Sequence, residues 1–256
     1  MKHCTLKSVI LHSVTGFICA SSFIINMLFS VVSHASENQF IAWQKPQYIL
    51  KAFNEIALKN EYKTTNERIV KWQDPIRYQF HYEKLKKLPL VETLLTTHLN
   101  HLAEITKHPI SVSNNQPANL NIYLTNDKNY ASVIKKYSGS NVKNLQRESN
   151  CMGTYRTNSA NKIQSATIVI PVDHVYSRGL LVACIVEETT QVMGLPNDSD
   201  WVNPSIANDA SKVELLTGLD WIGLYFIKVT LQPSNKIWND KSKQQKNIKK
   251  THSAVV

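Results

Sequence analysis

Residues 180–195 read Leu-Leu-Val-Ala-Cys-Ile-Val-Glu-Glu-Thr-Thr-Gln-Val-Met-Gly-Leu. The run up to Val186 is apolar on nearly every side, so a helix formed from it has to lie at the centre of a fold. It is also too short to span a bilayer. The pattern predicts a helix over residues 177–193, with Ser177 as its N-cap, Gly194 as its C-cap residue and Pro196 as the stop. Glu187 and Glu188 interrupt the apolar run, and a carboxylate buried there costs several kcal/mol unless it is paired, coordinated or hydrogen-bonded. Three readings stay open: a functional acid/base or metal site, a structural tie from Glu188 to the turn at Asn197-Asp198, or a solvated surface pair.

At about 100° per residue, Glu187 and Gln191 lie one turn apart on one face, with Glu188 a third of a turn around. With Gly194 and Asn197 the spacing becomes E-E-x-x-Q-x-x-G-x-x-N. In zinc peptidase helices of the H-E-x-x-H type, positions one and five hold the metal and position two takes a proton from metal-bound water. That spacing makes Glu187 and Gln191 the ligand positions, Glu188 the base, and Asn197 or Asp198 a third ligand. Zinc favours imidazole and thiolate, so this oxygen-rich set argues against high-affinity zinc and suits calcium, magnesium or manganese better.

Other residues add less. His174, just ahead of the helix, is the histidine best placed to line the same cleft. His98 and His101, three apart on a helix, lack a third partner, and packing is their default reading. A nucleophile elbow, a P-loop and a G-x-G-x-x-G stretch are all absent.

The N-terminus opens with Lys2, His3 and Lys7, continues through an apolar run over residues 9–32, and closes on Ser33-His34-Ala35. These are the marks of a signal peptide over residues 1–35, and hence of an exported, periplasmic or secreted protein; an uncleaved anchor is the alternative. Cys4 and Cys19 would leave with it. The remaining pair, Cys151 and Cys184, reads as a disulfide in an oxidising compartment, with a catalytic cysteine as the alternative. Residues 36–235 form a single domain, with no further run long enough to cross a membrane.

The formal net charge is +10. Much of it sits in residues 236–256, a lysine-rich, polar tail that reads as disordered. Without interleaved aromatics it does not point to nucleic acid, and attraction to an anionic envelope or simple solvation is the better reading.

Apolar spacing predicts helices over residues 49–57, 88–105 and 130–137, and strands over 75–82, 110–113, 120–124 and 166–172. Residues 138–162 read as an extended loop and 195–212 as a polar one. A last helix starts at Thr217 with a capping-box-like Thr217-x-x-Asp220. The economical architecture is α+β, a mixed sheet packed with helices.

The string from Cys184 through Glu187, Glu188, Gln191, Gly194, Asn197, Asp198 and Asp200, then Pro204, Ile206, Asn208 and Asp209, then Leu216, Thr217, Leu219 and Asp220, resembles an uncharacterised family of exported bacterial proteins. This is the domain of unknown function 2927, with the resemblance covering about residues 65–230. It implies a zincin-like, metallopeptidase-type fold built around the E-E-x-x-Q helix, without an established reaction. Two functions are then expected. One is a non-catalytic domain that binds a peptide or cell-envelope partner through the former cleft. The other is a hydrolase with Glu188 as general base and Glu187, Gln191 and Asp198 holding a divalent metal or the substrate.

Overall fold

The computed structural model describes residues 42–60, 68–138 and 150–229. The signal-peptide reading of residues 1–35 and the tail reading of residues 236–256 fall outside them. The chain divides into two compact units, residues 1–45 and 46–256, and every element below belongs to the second. No helix among the described residues is long and apolar enough to cross a membrane.

Five parallel strands and one antiparallel strand make a single sheet. They are β1 (Lys71–Trp72), β2 (Ile76–Tyr82), β3 (Ile110–Val112), β4 (Leu120–Thr125), β5 (Met152–Thr157) and β6 (Lys162–Pro171). The order is β1-β6-β4-β2-β3, and β5 pairs antiparallel with β6. Phe80, Ile122 and Ile168 align across β2, β4 and β6. Side chains alternate along a strand, so this row faces one side while Tyr123 and Val169 face the other. On that second side Val169 and Met152 meet Tyr130, Val133 and Ile134 of helix α3 (Asp127–Tyr137). The mixed, helix-packed sheet agrees with the α+β expectation.

Helix α1 is Pro46–Leu58 and α2 is Pro89–Thr106. In α2, Pro89 starts the first turn, where its missing N–H is not needed. The expected stripe is buried at Val91, Leu95, Leu99 and Leu102. A left-handed Lys107 (φ 50°) then ends the helix ahead of His108-Pro109. Helix α6 is Gly218–Val229. Its capping box forms as expected: Thr217 N donates to Asp220 Oδ2 at 2.8 Å and Asp220 N to Thr217 Oγ1 at 3.3 Å. Asp220 also accepts from Ser205 Oγ at 2.5 Å and Ile206 N at 3.1 Å, which ties the incoming loop to the helix.

Two expectations need correction. The segment 138–162 is not loop throughout: residues 152–157 form β5, and β6 begins at Lys162, ahead of the expected residue 166. Thr154, Tyr155 and Arg156 gain their strand geometry by pairing across a hairpin with Thr167, Ala166 and Ser165, a gain that their own pattern of Gly, Thr and Arg does not show. The motif helix also starts later than expected: it is α5 (Leu181–Gln191), and a separate short helix, α4 (Val172–Ser177), precedes it. Between them Gly179 takes φ +73°, Gly179 N donates to Tyr176 O and Leu180 N to Val175 O. That is a Schellman ending, which terminates the first helix before the second starts. Ser177 is therefore the last residue of α4, where its hydroxyl donates to His174 O, and not the cap of α5.

Candidate functional site

The end of α5 is closed by three contacts. Trp72 Nε1 donates to Val192 O at 2.8 Å. Gly194 N and Leu195 N both donate to Gln191 O, at 3.0 and 3.2 Å. Gly194 takes φ +121°, and a Cβ there would meet Val70 O at 2.4 Å, so both backbone angle and space demand glycine. The chain then reverses. Asn197 N donates to Ile56 O on α1 at 3.2 Å, and Asn197 Nδ2 to Asp198 O at 2.6 Å.

This reversal brings Asp198 back to the helix, where Gln191 Nε2 donates to Asp198 Oδ1 at 2.7 Å. The loop beyond is folded on itself. Ser199 N donates to Ala207 O at 2.8 Å and Asp209 N to Ser199 O at 3.1 Å, a parallel bridge between Ser199 and Asn208. Ser199 Oγ accepts from Trp201 N and Val202 N, and Asn208 Nδ2 donates to Val202 O at 2.7 Å. The Asp209 N–H bonded to Ser199 O fastens Asp209 against the residue that follows Asp198.

The result is a cluster of three carboxylates. Glu187, Asp198 and Asp209 each offer an oxygen, and these oxygens lie within 4.8 Å of one another. Glu187 stands one helical turn before Gln191, which is why both reach the same returning loop. Glu187 and Asp198 are half-buried and Asp209 lies at the exposed edge. Partial burial raises the Asp209 pKa above the usual aspartate value. Like charges this close are favourable only with a proton or a cation among them.

The donor set is all oxygen, from two loop aspartates and one helix glutamate. That chemistry fits a hard divalent cation such as calcium, magnesium or manganese and does not fit zinc. Glu187 and Asp198 would hold it from the half-buried side and Asp209 from the solvent side, with Gln191 holding Asp198 in place.

Glu188 is on another face. It is 5% exposed, which removes the solvated-pair reading for this residue. A Cβ built on Gly153 of β5 would lie 2.6 Å from Glu188 Oε2, so the carboxylate packs directly beneath that strand. Next to it, Cys151 and Cys184 form a disulfide with Cα atoms 5.9 Å apart, joining the start of β5 to α5. Both thiols are thereby withdrawn from metal binding and from nucleophilic chemistry.

The histidines lie elsewhere. His174 Nδ1 is 3.6 Å from Asp127 Oδ1 at the start of α3, and His174 is not one of the clustered ligands. His98 is buried and His101 exposed, their rings edge to face at 6.0 Å.

Residues 46–233 match the family model described as Protein of unknown function (DUF2927). The chain belongs to this family. No curated protein and no solved structure matches it. The DUF2927 domain reaches further toward the N-terminus than the resemblance from about residue 65 suggested, and it takes in α1, whose Ile56 carbonyl anchors Asn197.

Within this DUF2927 domain, sequence reasoning brought Glu187, Gln191 and Asp198 together and missed Asp209 and Gly153. Asp209 carried no periodic signal; the loop's fold, fastened where Asp209 N meets Ser199 O, sets it near Asp198. Gly153 sat in a stretch read as loop, where a glycine needs no explanation.

Proposed function

We propose that the chain is an extracytoplasmic, non-catalytic binding domain that keeps a metallopeptidase-like helix and uses its ligand positions for a hard divalent cation. The cation holds the loop of residues 195–212 in one shape, and the loop edge around Asp198 and Asp209 meets a peptide or cell-envelope partner. The observation that carries this reading is the cluster of Glu187, Asp198 and Asp209 with oxygens within 4.8 Å of one another. The disulfide supports the extracytoplasmic setting, because such bonds persist in oxidising compartments. The zincin-like description rests on motif spacing together with a mixed sheet flanking the helix.

The hydrolase reading requires Glu188 to reach water on the cation. Its side chain instead packs under Gly153, so the geometry favours binding over catalysis. The test is a calcium, magnesium and manganese titration of the purified chain followed by thermal unfolding. A cation at about 100 times its Kd should stabilise the fold by roughly 2.7 kcal/mol. Asp198→Asn and Asp209→Asn should each abolish the shift. Peptide-bond cleavage that is lost in Glu188→Gln at unchanged Tm would establish the hydrolase instead. Absence of any cation effect would remove the cation from the reading.

A further inference from the structure

Where α2 and α6 end beside β1, the domain has a cavity of about 140 Å³ that shares no residue with the carboxylate cluster. Its apolar part includes Trp72, Met193 and Leu224, and its charged part is Lys71, Lys107 and Lys228. No carboxylate is among the described side chains that line it. Lysines near the ends of α2 and α6 also offset the negative ends of those helix dipoles, so charge alone would not mark a site. The cavity between the lysines distinguishes this place from a solvated helix end.

The walls are held in place before any ligand arrives. Trp72 is fixed by its bond to Val192 O. Thr106 Oγ1 donates to Leu102 O at 2.7 Å and accepts from His108 N at 3.3 Å, which sets the turn carrying Lys107. His108 Nε2 lies 2.8 Å from Asp74 O. Lys71 is only 9% exposed, and this burial lowers its pKa from the usual lysine value, a cost that an anion beside it would offset. Walls that need no reordering lower the cost of binding.

We infer that this cavity binds a small anion carried on a short apolar body, the charged group among Lys71, Lys107 and Lys228 and the apolar body against Trp72, Met193 and Leu224. An apolar cavity of about 150 Å³ accommodates benzene, so the space suits one ring or a short branched chain and excludes a long acyl chain. A carboxylate and a phosphate monoester share this chemistry.

Calorimetric titration of the purified full chain separates them, using benzoate and phenyl phosphate as probes. Benzyl alcohol serves as the control without charge and inorganic phosphate as the control without an apolar body. Benzoate or phenyl phosphate should bind with a Kd of about 1 mM or tighter, roughly tenfold better than either control, and more weakly as salt is raised. Lys107→Gln and Lys228→Gln, both at exposed positions, should each weaken that binding about tenfold, with Lys228→Arg close to wild type. The better of the two probes identifies the anionic group. The inference is overturned if neither probe binds, if a control binds as well, or if both glutamine variants bind like wild type while circular dichroism shows them folded.

Discussion

Gln191 donates from Nε2 to Asp198 Oδ1 at 2.7 Å, so the residue at the fifth position of the motif holds a carboxylate rather than standing as a lone ligand. Removing the donor in Gln191→Met should cost about 1–2 kcal/mol, the usual price of a half-buried carboxylate losing a hydrogen bond. The same change should weaken calcium stabilisation, because Asp198 loses a bond that helps hold it toward Glu187 and Asp209. Urea unfolding with and without calcium measures both effects. Equal curves for the variant and wild type would show that this bond does not organise the cluster.

Gly153 and Glu188 are matched in space. Gly153→Ala places a Cβ 2.6 Å from Glu188 Oε2, 3.1 Å from Val192 Cγ1 and 3.2 Å from Glu188 O. Overpacking of this kind should cost about 1–3 kcal/mol. In a double-mutant cycle, Glu188→Ala should relieve part of that loss, giving a coupling of at least about 0.5 kcal/mol. Strict additivity would mean that the clash is with the helix backbone and not with the carboxylate.

The Cys151–Cys184 bond closes a sequence separation of 33 residues. On the chain-entropy model its loss should lower stability by about 3–4 kcal/mol. Because it fastens the start of β5, hydrogen exchange should speed up first along residues 152–157 in a Cys151→Ala/Cys184→Ala variant. Uniform loss of protection across the whole sheet would argue that β5 is held by its pairing with β6 alone.

His98 makes the fold acid-sensitive. Burial, and next the charge of His101, pull its pKa from 6.5 down to about 4, while a bond with the Val186 backbone opposes them. The unfolded imidazole takes up its proton at higher pH than the folded one. This contribution is therefore complete above pH 6.5 and is lost as pH falls from 6.5 to about 4, by up to roughly 3 kcal/mol. His98→Leu should flatten stability across that window; a slope that persists unchanged would assign the acid sensitivity to other groups.

The local patterns that could be read from the chain were those whose physics is local. The stripe of α2 declares itself at three- and four-residue steps, and its buried residues follow it. The Thr217-x-x-Asp220 box closes within one turn, and Gly194 stands where a reversal after a helix needs a positive φ. Less legible were the features that depend on strand pairing or on the backbone angle of a single residue. β5 is a strand because β6 pairs with it across a hairpin, and the Gly179 ending follows Ser177-Arg178, just ahead of the apolar run.

The candidate site divides the same way. Spacing alone put Glu187 and Gln191 on one helical face, Glu188 on another, and a disulfide between the only cysteines after residue 35, because helix geometry and redox chemistry depend on residue type and interval. Tertiary structure decided which carboxylates meet. Asp209 comes near Asp198 because the loop folds back and Asp209 N bonds Ser199 O, and Glu188 is covered by a strand that is itself ordered by pairing across a hairpin. Backbone hydrogen bonds form between groups that every residue carries and so leave no signature in side-chain pattern, and the partners of a carboxylate emerge only when the loop has folded back.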